Sequence, residues 1–192
     1  MPRRTPEAVA DSRASTVRAA VDVASVEGLE GLTIGRLAGA LEMSKSGLIG
    51  RFGDKEAMQR AVLAAAIGRF TEAVWAPAAG AAPGRERLAA IVDAWIAHLR
   101  DGVFPGGCFV TTASVEYDAR PGALREDVAK AVRRWLAVLE AEARAAGLAD
   151  PAGVALELHA LASGGSVAAR LLDDPAALER VRAAMRRAAG LG

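Results

Sequence analysis

The chain has 192 residues, 52% of them hydrophobic and 4% aromatic, with 24 basic against 23 acidic side chains and a net charge of +1. That length accommodates one or two small domains with ample apolar surface for a core. A balance so close to neutral excludes a global basic field as the means of holding nucleic acid, so any such contact must rest on local placement. The single cysteine, Cys108, excludes an intramolecular disulfide and a multi-cysteine zinc site.

Ala and Leu dominate, strand-like alternation does not stand out, and Gly and Pro fall between periodic segments, which predicts an all-α protein. Arg3-Arg4 is followed by Thr-Pro-Glu rather than an apolar run, so neither a secretory nor a twin-arginine signal is read there and the chain is expected to be cytoplasmic. Residues 1 to 10 read as a polar, proline-bearing arm. Asp11 or Ser12 can open a first helix with Val17, Ala20, Val21 and Ala24 on one stripe, ended by Gly28 and Gly31. Thr33 can cap a short second helix whose apolar face is Ile34, Leu37, Ala38 and Leu41, with Arg36 elsewhere. A turn at Glu42 and Met43 follows. Ser44 can then cap a third helix whose first turn carries Lys45, Ser46 and Gly47, with Leu48, Ile49 and Phe52 turned inward. Small and basic residues at the start of a helix, with an apolar side anchoring it, suit a recognition helix in a DNA groove.

Asp54 can cap a long fourth helix to about Ala76, stopped by Pro77, and residues 78–83 read as a loop. Leu88, Ile91, Val92, Trp95, Ile96 and Leu99 mark a fifth helix, ended at Asp101-Gly102. After the Pro-Gly-Gly break at 105–107, CFVTTASVEYDA makes a sixth, and Arg120-Pro121-Gly122 breaks the chain again. Leu124, Val128, Ala131, Val132, Trp135 and Leu139 mark a seventh helix, closed by Gly147. Asp150-Pro151 opens an eighth, to Leu172, that is apolar or small on two faces, and the last runs from Pro175 to about Ala189 with Leu178, Val181 and Met185 opposite arginines. About nine helices are therefore expected. A helix apolar on two sides needs cover on both, so a homodimer is expected on the last two helices, through Leu161, Gly164, Gly165, Ala168, Leu172, Leu178, Val181 and Met185. The most apolar windows, 61–76 and 151–172, contain charged residues, and no membrane span is expected.

The stretch from Leu32 to Glu56 resembles the DNA-binding domain of the tetracycline-repressor (TetR) family: Leu32-Thr33, Ser44-Lys45-Ser46-Gly47-Leu48 and Phe52-Gly53-Asp54-Lys55-Glu56 match its pattern. Two positions depart from it, with Glu42 where the family usually has Gly and Ile49 where it usually has Tyr. The resemblance implies a helix-turn-helix domain with its arm over residues 1–53 and a ligand-binding and dimerisation domain over 54–192. It implies that Thr33, Arg36, Ser44, Lys45, Ser46, Gly47, Arg51 and Lys55 meet double-stranded operator DNA. Arg3 and Arg4 would enter the minor groove or else form a solvated tail. GGCFVTTASVEYDARPG and DPAGVALELHAL resemble the C-terminal half of one branch of such regulators, which binds a small effector. Trp75, Trp95, His98, Phe109, Thr112, Glu116, Trp135 and His159 are the candidate pocket residues. Against that stands a plainer reading in which Trp95 and Trp135 are core, the histidines are hydrogen-bonded, and Cys108 is a small buried hydrophobe.

The expected function is a ligand-responsive transcriptional regulator, a repressor released by a small molecule, with no metal or cofactor. An enzyme is disfavoured because no nucleophile elbow or oxyanion-type loop accompanies Cys108, His98 or His159. The alternative is a helical dimeric adaptor or small-molecule-binding protein without DNA binding.

Overall fold

The computed structural model describes residues 6–192, with side chains from Arg13 onward. Arg3 and Arg4, read above as an arm, lie outside the described residues. Among these the chain is wholly helical: α1 (Pro6–Glu27), α2 (Ile34–Ala40), α3 (Lys45–Phe52), α4 (Lys55–Phe70) continuing as a π-helical turn (Thr71–Trp75), α5 (Arg85–Arg100), α6 (Phe109–Tyr117), α7 (Ala123–Ala145), α8 (Pro151–Leu171) and α9 (Ala177–Ala188). The all-α expectation and its helix order hold. The first helix starts at Pro6 rather than at Asp11, because proline at a first helical position loses no hydrogen bond and brings a helical φ. No helix among the described residues is long and apolar enough to cross a membrane.

The chain divides into two compact units. One takes the described residues up to Ile67 together with Phe104–Val128, the other Gly68–Val103 with Ala129–Gly192. Each is thus assembled from two stretches of chain.

In the first unit the apolar stripes converge as their periods require: Ala20, Val21 and Ala24 from α1, Leu37 and Ala38 from α2, Leu48 and Phe52 from α3, Met58 and Val62 from α4, and Phe104, Phe109 and Tyr117 around α6 are all buried. The caps are made by the residues expected. Thr33 Oγ1 accepts the Arg36 N–H at 3.0 Å, and Ser44 Oγ accepts that of Gly47 at 3.1 Å. Between α2 and α3 the Met43 N–H reaches back to Ala38 O at 3.0 Å, the six-to-one bond of a Schellman ending, which requires the residue before it to be left-handed. That residue is Glu42, with φ 51.

One inward assignment fails. Ile49 is 50% exposed, because Leu48 and Phe52, four apart, hold the buried line of α3 and Ile49 is rotated about 100° from Leu48.

In the second unit α5 contributes Leu88, Ile91, Val92, Trp95 and Ile96 to the core, and α7 contributes Leu139 and Ala143. α8 packs on α9 at Gly165, where a Cβ would lie 3.0 Å from Val181 Cγ2. Arg182 Nε of α9 donates to Asp93 of α5 at 2.8 Å. The buried Glu142 carboxylate accepts from Gly84 N at 2.8 Å and Arg87 Nη1 at 3.0 Å, fixing the start of α5 to α7.

This packing revises the expected interface. Gly165, Leu178 and Met185 are buried within the chain itself, since α9 folds back on α8 and uses them there; Leu161, Ala168 and Val181 are half-buried, and only Gly164 and Leu172 of that set are exposed. The opposite line of α8 stays open, with Leu156, Val167 and Leu171 exposed at 60%, 49% and 75%.

Candidate nucleic-acid interface and sensor cluster

The outward strip of α3 is Lys45, Ser46, Ile49 and Gly50, all exposed, spaced so that they share one helix face. Gly47, half-buried, gives its N–H to the Ser44 cap, and Ser46 Oγ donates to Ser44 Oγ at 3.3 Å. The N-terminal end of α3 thus offers backbone dipoles, one cation and small side chains. That combination admits close approach to a phosphate or a base edge.

The other expected DNA-facing cations have partners within the first unit. Arg36 forms a two-pronged pair with Glu27, its Nε lying 2.7 Å from Oε2, and the guanidinium hydrogen bonds hold that carboxyl below its ordinary pKa. Lys55 Nζ lies 2.6 Å from Glu30 Oε1, again lowering the carboxyl's pKa, and Arg51 Nη1 donates to Thr16 Oγ1 of α1 at 3.1 Å. Arg36 and Lys55 are 48% and 41% exposed in these pairs. Pairs so open to water add little net stability, so a phosphate can take either cation at little cost. Sequence reasoning missed Glu27 and Glu30; carboxylates near basic residues were the available signal.

The eight residues assigned to a ligand pocket fall into separate places. Phe109, Thr112 and Glu116 lie on α6 in the first unit. Phe109 is buried against Phe104, with ring centroids 5.9 Å apart, and Thr112 is exposed, its hydroxyl donating to Cys108 O at 3.3 Å. Glu116 accepts the backbone N–H groups of Leu29 and Glu30, both at 2.8 Å, so its carboxylate is committed to the loop between α1 and α2. Cys108 is buried, which pushes its thiol pKa up and fits the small-hydrophobe reading.

The second unit brings four of the others together. Trp95 and Trp135 meet edge to face at 5.2 Å, Trp95 and His159 lie tilted to one another at 6.1 Å, and Phe70, which the sequence reading did not single out, stands edge-on to Trp95, His98 and Trp135 at 5.9, 5.4 and 5.2 Å. Trp75 sits apart from these rings, under the Arg87 guanidinium at 5.6 Å.

Burial, helped by the nearby Arg69 charge, pulls the His98 pKa down to about 4, and burial alone lowers that of His159, so both rings are neutral at neutral pH. Trp135 Nε1 and His159 Nδ1 are buried with no hydrogen-bond partner among the described residues. A buried polar atom left unpaired costs about 1–3 kcal/mol, and this cluster carries two. An apolar, aromatic cluster with a few unpaired polar atoms has the side-chain chemistry of a small-molecule site.

The frame is a known one. Residues 84–185, more than half of the chain, match the family model of the tetracyclin repressor-like C-terminal domain. A TetR transcriptional regulator from Chloroflexus aurantiacus shares 22% identity and a TM-score of 0.84 over 92% of each chain. A TetR-family regulator from Cytophaga hutchinsonii shares 21% and 0.82 over 98% of this chain and 97% of its own. The TetR-family regulator CifR, solved as a cysteine mutant with 26bp double-strand operator DNA, shares 26% and 0.75 over 98% of both chains. No curated protein matches in sequence. The family match over most of the second unit and α6, joined to the capped α2–α3 pair that the family's motif predicts, assigns this chain to the TetR family of transcriptional regulators.

Proposed function

We propose that the protein is a one-component repressor that leaves its operator when a small molecule binds. The observation that carries this reading is the exposed start of α3, where Lys45 and Ser46 stand beside a capped helix N-terminus. In this reading Lys45 and Ser46 read bases, Thr33, Ser44 and Gly47 set the approach of the backbone, and Arg36, Arg51 and Lys55 meet phosphates and fix register. CifR's complex with operator DNA supports the same use of the fold here. The ligand would meet Trp95, Trp135, His98 and His159. Two neutral imidazoles and two indoles favour an uncharged, largely apolar compound carrying a hydrogen-bond acceptor for Trp135 Nε1.

The exposed line of α8, Leu156, Gly164, Val167 and Leu171, supports a homodimer with one recognition helix per half-site. Release then follows from population shift: the ligand favours a conformation in which the two helices no longer fit successive major grooves, about 34 Å apart.

The test is binding of the purified protein to promoter-proximal duplexes and scrambled controls at two salt concentrations, beside a Lys45→Ala/Arg51→Ala variant. Selective, salt-sensitive binding that the variant loses is expected. Equal binding by both proteins across all duplexes would refute the interface and favour an adaptor.

A further inference from the structure

The loop 28–33, which joins α1 to α2, is held from α6. Glu116 Oε2 accepts the Leu29 N–H and Oε1 the Glu30 N–H, each at 2.8 Å. The opposite side of the same backbone is held as well, because Gln59 Nε2 of α4 donates to Leu29 O at 2.7 Å. Gly28, at φ +82, makes the approach possible: a Cβ there would stand 2.8 Å from Glu116 Oε1. The chain just before α6 is also pinned to α1, the Gly106 N–H donating to Ser25 Oγ at 3.0 Å, and a Cβ at 106 would overlap the Ser25 carbonyl.

The clasp continues through the side chain of the residue it holds. Glu30 Oε1 takes Lys55 Nζ at 2.6 Å and Oε2 takes the Tyr117 hydroxyl at 3.3 Å, so the carboxylate that orients Lys55 is fixed by its own amide and by α6. Burial and the Glu30 charge raise the Tyr117 pKa, which keeps its hydroxyl a donor. A lysine on four rotatable carbons is otherwise loosely aimed. The fixing group lies 86 residues away in sequence, inside the stretch matched by the C-terminal family model.

We infer that Glu116 is a positioning residue for DNA binding: by clasping the Leu29 and Glu30 amides it sets the Glu30 carboxylate that holds Lys55 in place until a phosphate takes the cation over. The inference rests on the reading of Lys55 as a phosphate contact. Lys55 and α2 are presented in register only while α6 holds the loop. The carboxylate's two acceptor oxygens are what the loop needs, since an amide of the same shape turns an N–H toward one of two N–H donors.

The experiment uses the full chain and a duplex enriched by the wild-type protein from a random-sequence pool. Glu116→Gln is expected to keep the helical spectrum, to speed amide exchange at Leu29 and Glu30 about tenfold or more, to weaken DNA binding about tenfold, and to reduce the salt slope by about 0.9, one phosphate's worth. Lys55→Ala is expected to reduce the slope equally, and the double variant no further. A wild-type slope in Glu116→Gln beside a reduced slope in Lys55→Ala would overturn the role of Glu116 and leave the phosphate contact standing. An unchanged slope in Lys55→Ala would overturn the phosphate reading itself, and the inference with it. Should Glu116→Gln lose its helical spectrum, Glu116→Asp, which keeps the charge but withdraws the oxygens, is read against the same outcomes.

Discussion

Glu42→Gly tests the turn that leads into α3, the proposed recognition helix. With φ at 51 and the Met43 N–H bonded to Ala38 O at 3.0 Å, residue 42 is locked into the left-handed region by a helix ending that works best with glycine. An L-residue pays about 1–2 kcal/mol for that conformation. Glycine removes the strain but leaves an unfolded chain with more freedom, which takes back about 0.4–1 kcal/mol. The net gain is roughly 0.5–1 kcal/mol, equivalent to about 1–4 °C for a chain of this size.

Glu42 is also exposed, two residues before the Ser44 cap, so its removal deletes a negative charge close to the start of α3. Glu42→Gln separates the two effects, because it removes the charge and keeps the strain. The assays are urea unfolding of each variant and DNA affinity at two salt concentrations. Glycine is expected to raise both stability and affinity, and glutamine affinity alone. If glutamine stabilises as much as glycine, the left-handed backbone is not the source of the cost and the reasoning is refuted.

Two further outcomes are expected. His98, its pKa lowered from 6.5 to about 4, is neutral in the fold and charged in the unfolded chain between those values, so the unfolded state binds the extra proton and stability is lost as pH falls through that window. Urea unfolding should show His98 contributing a loss of about 2–3 kcal/mol between about pH 7 and about pH 4.5, absent in His98→Gln, and identical pH profiles would refute the burial of a neutral ring. Leu171→Glu, at a side chain 75% exposed on the open line of α8, should convert a dimer to a monomer in sedimentation and abolish binding to two-half-site DNA. A wild-type protein that sediments as a monomer would refute the dimer.

What the sequence made legible was local. The stripes of α1, α2, α5 and α7, the Thr33, Ser44 and Asp54 caps and the turn at Glu42 and Met43 all depend on residues within one turn of each other, and each is found as read. What it concealed was set by partners far along the chain. Glu116 looks like a polar group on an apolar helix until the Leu29 and Glu30 amides are known to face it. Phe70 has the spacing of any core residue on α4, and only the fold brings Trp95, His98 and Trp135 around it. Ile49 is instructive in the other direction. Period counting over so short a helix put it inside, whereas the family pattern, with an aromatic at that position, agrees with the exposed side chain that is found.

On the proposed interface, the pairing of Arg36 with Glu27 and of Lys55 with Glu30 would let a protein of net charge +1 use these cations selectively. Non-specific DNA binding is almost wholly counterion release by unpaired cations, and carboxylates at 2.7 and 2.6 Å suppress it by occupying them. Each pair is exposed enough that exchanging carboxylate for phosphate is nearly free of cost once the duplex is close. In the proposed reading, close approach requires the Lys45, Ser46 and Gly47 end of α3 to enter a groove that accepts it. Phosphate contacts would then become available after the groove fits, and the acidic partners Glu27 and Glu30 would raise the ratio of specific to non-specific binding.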